Sequence, residues 1–250
     1  MKTTRSARLM LATLFVVAAA GPSVVGWNAE GAGQKVTIFD GQSLSGWRDP
    51  TGDWQVVQSV RVNAADPRVF ALEDGHGVLV NGKNGKTANL LSKYEHGDVK
   101  AHVEFCVPND SNSGVYLMGR YEIQVLDSWG VEQPKYSDCS GIYERWKDDK
   151  GYEGHAPRQN ASKPPGQWQS FDIIFRAPRF DDDGKKTEHA RFVKVIHNGV
   201  VVHENVDVTG PTRAASYENV PEAKRGPLML QGDHGPVAYR NICLEPIQLD

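Results

Sequence analysis

Glu122 and Gln124 stand two residues apart in the segment Arg120-Tyr121-Glu122-Ile123-Gln124-Val125-Leu126-Asp127. On an extended strand that spacing puts Arg120, Glu122 and Gln124 on one face and Tyr121, Ile123 and Val125 on the other. A carboxylate can take a proton, an amide can orient a hydroxyl and a guanidinium can steady a developing oxyanion, so the polar face has the parts for proton transfer on a polyhydroxylated substrate. The same alternation describes the solvated outer face of an antiparallel sheet, and the pattern leaves cleft and exterior both open. His102 and Glu104 make a second polar face on the preceding strand, which either joins Glu122 in one cleft or meets solvent. Asp127, at the end of the Glu122 strand, suits a turn, or a rim carboxylate for a sugar hydroxyl or a metal.

Two histidines are candidates outside that strand. His155 lies in Gly154-His155-Ala156-Pro157, in the same long loop as Glu144, Lys147 and Asp148; these are the ingredients of a proton-transfer or metal site, or of an ordinary surface loop. His234 sits in Gln231-Gly232-Asp233-His234-Gly235, where glycines serve a tight turn or a close approach to ligand. Asp181-Asp182-Asp183-Gly184 lacks the later ligands of a calcium loop and reads as a hairpin tip. Asn160-Ala161-Ser162 fits a glycosylation sequon. A serine nucleophile elbow, a phosphate-cradling glycine loop and a dinucleotide fingerprint are all missing, which weakens esterase, kinase and dehydrogenase readings.

The elements that must hold these residues read as strands and turns. Val99, Ala101, Val103 and Phe105 alternate with Lys100, His102 and Glu104, the period of a half-buried strand. Short β-rich runs recur at 36–39, 54–57, 77–80, 115–118, 121–126, 171–175, 192–196, 228–230 and 237–244. Asn198-Gly199 between two such runs predicts a tight hairpin. With no sustained helical period, the fold class is all-β, a sandwich or barrel. The irregular stretch 129–168 carries Tyr136, Tyr143, Trp146 and Tyr152 and is expected to pack as a lid over one face; 211–226 is a second long loop that could flank it.

Composition sets the outer limits. The chain has 250 residues and a formal net charge of −3, too acidic a balance for a nucleic-acid-binding face. Lys2, Arg5 and Arg8, the apolar run 9–20 and small residues 18–20 form a leader of the secretory type, so residues 1–26 are expected to be removed on export to the periplasm or medium. The run is too short to span a bilayer comfortably, and no later segment is apolar enough. The remainder can bury a core as one β domain. Three cysteines, Cys106, Cys139 and Cys243, leave the choice between free thiols and one bridge open.

An ordered set of motifs resembles the 3-keto-disaccharide hydrolase domain family: Phe39-Asp40-Gly41-Gln42-Ser43-Leu44-Ser45-Gly46-Trp47, Asn112-Ser113-Gly114-Val115-Tyr116, Tyr121 to Asp127, Gly141-Ile142-Tyr143, Lys163 to Trp168, Asn198-Gly199, Gly226 to Gln231 and Arg240-Asn241-Ile242. The resemblance covers 36–249 and departs at Trp168-Gln169, where many members carry Trp-Asn. It implies a concanavalin/laminarinase-like jelly-roll sandwich of two antiparallel sheets, and cleavage of 3-keto-glycosides. A C3 ketone acidifies the C2 hydrogen; a base removes it, the C1 aglycone leaves and water adds back, so the site needs a base, an enolate stabiliser and an acid. On that reading Glu122 is the base, His155 an acid or base from the lid and Arg120 the enolate partner. Candidate substrate contacts are Gln124, Asp127, Lys147, Glu104, Tyr143, Trp168, Gln231 and His234. A divalent metal bridging the ketone and a hydroxyl would serve the same need, with Glu122 and His155 as its ligands. Two alternatives stand beside this one: ordinary glycoside hydrolysis by a Glu104–Glu122 pair, and a non-catalytic lectin-like module.

Overall fold

The computed structural model describes residues 33–250, and the expected leader lies outside them. Two antiparallel sheets pack face to face as a jelly-roll sandwich. Numbered in chain order, the larger sheet runs β14 (Val200–Val208), β13 (Ala190–His197), β10 (Gln169–Arg176), β5 (Val99–Cys106), β16 (Ala238–Pro246), β3 (Phe70–Val80) and β2 (Gln55–Val62), with β1 (Val36–Thr37) also on β16. The smaller runs β4 (Leu90–His96), β15 (Gly226–Leu230), β6 (Asn112–Leu117) and β7 (Tyr121–Leu126). Two hairpins stand apart, β8 (Arg145–Lys147) with β9 (Lys150–Tyr152) and β11 (Arg179–Phe180) with β12 (Lys186–Glu188). Among the described residues no helix is long and apolar enough to cross a membrane.

The core follows from the period of two. Val99, Ala101, Val103 and Phe105 of β5 are buried, and so are Phe171, Ile173 and Phe175 beside them on β10. Facing them from the smaller sheet are Val115, Leu117, Tyr121, Ile123, Val125, Leu228 and Leu230. Tyr121 meets Phe175 across the gap with ring centroids 5.4 Å apart. The opening motif serves this core, with Phe39 and Trp47 both buried and Trp47 bridged to Ser92. Asn198 and Gly199, at φ 51° and 82°, form the tight turn between β13 and β14. All three cysteines are free thiols, and burial pushes Cys106 and Cys139 up to about 12.

Sequence periodicity misses β4 and the outer halves of β2 and β3. Charge interrupts Leu90–His96, and Glu73-Asp74-Gly75-His76 leaves no apolar alternation on an exposed edge hairpin. Gln169, the position of the departure from the family pattern, is buried at one end of the sandwich. Its side-chain oxygen receives Lys163 N at 2.9 Å and Asn198 Nδ2 at 3.2 Å and lies 3.0 Å from His197 Nε2. That residue ties β10 to the 160s loop and to the turn between β13 and β14, and it does not line the pocket that holds Glu122.

Three imidazoles are sealed into the protein. Burial pushes His96 down to about 4, His197 to about 3 and His203 to about 4, from a free value of 6.5. A depressed folded-state pKa gives stability that is whole above 6.5 and is lost as the pH falls towards 4. The denaturation midpoint is therefore expected to drop steeply over that window. The measurement is cleanest in Glu122→Gln, which lacks an opposing titration described below; a midpoint flat from pH 7 to 4 would show that these rings accept protons in place.

Candidate active site

Met118 and Gly119, both at positive φ, lie in the three-residue turn 118–120 that fixes the register of β6 on β7. Tyr116 then pairs with Glu122 and Gly114 with Gln124. Because Tyr121, Ile123 and Val125 enter the core, Tyr116, Glu122 and Gln124 project from the opposite, outward face of the smaller sheet. That face is no open exterior. Asn112, Tyr116, Glu122, Gln124, Tyr143, Arg213, Ala214, Gln231 and His234 enclose a pocket of about 260 Å³.

The walls come from three connections. Residues 140–143 pair with the free edge of β7: Gln124 N donates to Gly141 O at 2.9 Å and Tyr143 N to Glu122 O at 3.3 Å. Ile142 bridges both Ile123 and His155, so part of the expected lid is an extension of the sheet. From the second long loop, Thr212 Oγ1 accepts Glu122 N at 3.0 Å, and Arg213 and Ala214 follow it into the pocket. Past the end of β15, Gln231 N donates to Gly114 O at 3.0 Å. Gln231 Nε2 reaches the Tyr116 hydroxyl at 3.4 Å, while its buried Oε1 has no protein partner.

Glu122 is 2% exposed. It leans over Gly114, where even a Cβ would collide with its Oε1. Burial pushes its carboxyl up to about 8; the Asp233 charge adds to the rise, and the hydrogen bond from Tyr116 opposes it. The Tyr116 hydroxyl is in turn raised well above the usual phenol range, by burial first and then by Glu122. Beside them stand two groups that can carry positive charge. His234 Nδ1 lies 2.6 Å from Asp233 Oδ1, so the carboxylate takes its Nδ1–H and leaves Nε2 for a ligand. Arg213 is gripped by Glu144 at 4.0 Å and by the Trp146 ring, whose centroid lies 3.8 Å from Cζ.

The pocket brings together Glu122, Gln124, Tyr143, Gln231 and His234 of the residues expected from sequence. The others fall elsewhere. His155 pairs with Ile142, which pairs with Ile123, so its ring takes the core side of the sheet, where its Nε2 is buried. Arg120 is a buried anchor: its guanidinium donates to Met118 O at 3.1 Å and Pro221 O at 2.8 Å, and it lies 5.0 Å from the Tyr217 ring. Glu104 belongs to the outer face of the larger sheet, paired with Arg240 at 2.6 Å and Asn241 at 2.7 Å. Arg240 also lies 4.1 Å from the Trp168 ring, which places Trp168 on that far side. With the whole core between them, Glu104 and Glu122 form no carboxylate pair, and ordinary hydrolysis by those two is excluded. Asp127 makes a turn, its Oδ1 accepting Trp129 N at 3.4 Å, and its Oδ2 accepts Asp110 N at 3.1 Å. Lys147 is an exposed hairpin residue.

Glu122 and His155, on opposite faces, do not fit a shared metal ion. Among the described residues no group of three or more His, Cys, Asp or Glu side chains is arranged to hold one. Sequence reasoning passed over Arg213, Asn112 and Tyr116 as site residues. Asn112, Gly114 and Tyr116 carry a usable signal, since their spacing of two matches the polar face of β7; Arg213, in a loop with no period, carries none.

No curated protein matched the chain in a search by similarity. Among solved structures, a candidate glycosyl hydrolase from Parabacteroides distasonis ATCC 8503 is 29% identical, with a TM-score of 0.59 over 85% of this chain and 84% of that one. A second from the same organism, 21% identical, superposes with a TM-score of 0.53 over 86% of this chain and 100% of its own. The family described as the 3-keto-alpha-glucoside-1,2-lyase-like domain matches residues 34–245, close to the whole described structure, and the chain belongs to that family.

Proposed function

We propose that the pocket cleaves 3-keto-glycosides by elimination and rehydration, with Glu122 as the base. One observation carries this reading: a carboxylate buried on a pocket floor and tuned to about 8, near the pKa at which a base works best at neutral to mildly alkaline pH. Family membership supports a carbohydrate-processing enzyme, and the pocket volume suits one sugar ring, being smaller than the roughly 300–1,000 Å³ of sites for drug-sized ligands.

The steps use this chain's own groups. Glu122 takes the C2 hydrogen that the C3 ketone has acidified. Arg213 and the Tyr143 hydroxyl stabilise the enolate oxygen as charge develops. The electron pair moves into the C1–C2 bond and expels the C1 oxygen, which takes a proton from His234 Nε2–H. Water then adds its hydroxyl to C1 and gives its remaining proton back to His234 Nε2, while Glu122 returns its proton to C2. The net change is hydrolysis. Gln124 and Gln231, with its free oxygen, hold sugar hydroxyls. Export directed by residues 1–26 would place this activity in the periplasm or medium.

Incubation with a 3-keto-glucoside should release aglycone, and release should slow when C2 carries deuterium. Because the base must be ionised, kcat/KM is expected to rise with pH up to about 8. No release from several 3-keto-glucosides would overturn the proposal; release without an isotope effect or alkaline rise would replace elimination by direct displacement.

A further inference from the structure

Trp129, Trp146 and Val220 are the large apolar side chains left exposed among the described residues, and one of them touches the pocket lining. Trp146, on β8, is 39% exposed and stacks on Arg213, which lines the pocket. Arg213 is fixed from several sides. Its backbone N–H donates to Glu144 O at 3.0 Å, and its guanidinium lies 4.0 Å from Glu144 Oε1. Glu144 in turn accepts the Tyr136 hydroxyl and packs against Gly151 of the β9 strand, where a side chain would strike the carboxylate. So a flat cation, preorganised by an indole behind it and a carboxylate beside it, stands at the pocket wall with its side chain 44% exposed.

Resting on the glycoside-cleaving reading, we propose that Arg213 backed by Trp146 is the leaving-group platform, and that it selects glycosides whose aglycone is a planar aromatic ring. A pocket of about 260 Å³ is filled by the keto-sugar, so the aglycone must lie against the wall next to it. A guanidinium offers a planar, weakly hydrated face on which an aromatic ring stacks, completing a ring–cation–ring sandwich with Trp146. An aliphatic aglycone gains nothing comparable there. Trp146 acts through Arg213 and is a positioning residue.

The experiment compares phenyl and methyl 3-keto-glucosides. KM is the readout, because phenolate leaves more readily than methoxide and would bias kcat. Wild type should show the lower KM for the phenyl compound. In Trp146→Ala that preference should shrink by about tenfold, while Trp146→Phe should keep most of it. Arg213→Lys, which retains charge without the plane, should lose it as Trp146→Ala does. Equal KM ratios in wild type and all three variants would overturn the platform. If wild type cleaves neither compound, the cleavage reading fails by itself. Calorimetric titration of wild type with both compounds then decides the platform: tighter phenyl binding upholds it and equal binding overturns it. The same titration decides the matter if Trp146→Ala does not fold.

Discussion

Glutamine in place of Glu122 is expected to lower aglycone release by about 10²–10⁴-fold and, at the same time, to make the protein more stable at alkaline pH. The first effect follows from position. Glu122 carries the single carboxylate among the pocket-lining residues, and an amide of the same shape cannot take the C2 hydrogen. The second follows from burial. The folded-state pKa of Glu122, about 8, lies above the free value of 4.5. A group shifted in that direction contributes stability that is fully present below 4.5 and is lost as the pH rises through 8. The neutral glutamine escapes this loss. The gap between the two proteins should open over that window at about 1.4 kcal/mol per pH unit, reaching several kcal/mol at pH 9. Melting curves at pH 5, 7 and 9 measure it. An inactive variant that also melts higher at pH 9 separates a lost base from a lost fold. A fully active variant would remove Glu122 from the chemistry, and parallel melting curves would mean that its charge is solvated.

Much of this arrangement is legible in the sequence because alternation is a local property. The residues of β5 and β7 fall on the faces that their period of two assigns, and the Asn198-Gly199 turn closes the hairpin it announces. Alternation does not say which polar face is a cleft. The outward face of β7 and the outward face of β5 look alike along the chain, with Glu122 and Gln124 on one and His102 and Glu104 on the other. What separates them is non-local. Loops 129–168 and 211–226 return to cover β7, whereas Glu104 is left on the uncovered side, neutralised by Arg240. The placement of His155 is non-local in the same way. Its face is set by a bridge to Ile142, a pairing over a dozen residues that no spacing rule encodes. Arg120 shares the outward side of Glu122, yet it sits at the turn, where the returning loop captures its guanidinium with a backbone carbonyl.

Gly114→Ala tests the same sheet from the neighbouring strand, and should cost about a hundredfold in kcat with little loss of stability. Gly114 lies opposite Gln124, beneath the side chains of Tyr116 and Glu122. A Cβ there would collide with Glu122 Oε1, lie 2.7 Å from Tyr116 Cε2 and 3.0 Å from the Glu122 carboxyl carbon. The backbone itself accepts alanine, since Gly114 is not among the glycines at positive φ. The strain therefore goes into the two side chains that can move, and both belong to the pocket. A displacement of about 1 Å is enough to misalign a base with the hydrogen it must take. The carboxylate would also part from the Tyr116 hydroxyl, the hydrogen bond that holds its pKa down, while gaining access to water. The rising limb of the pH profile, which Glu122 sets, should consequently move, which a purely structural defect would not cause. An alanine variant with unchanged kcat and an unmoved limb would mean that Glu122 does its work from a different rotamer, and that the close approach of these two strands has no part in aiming it.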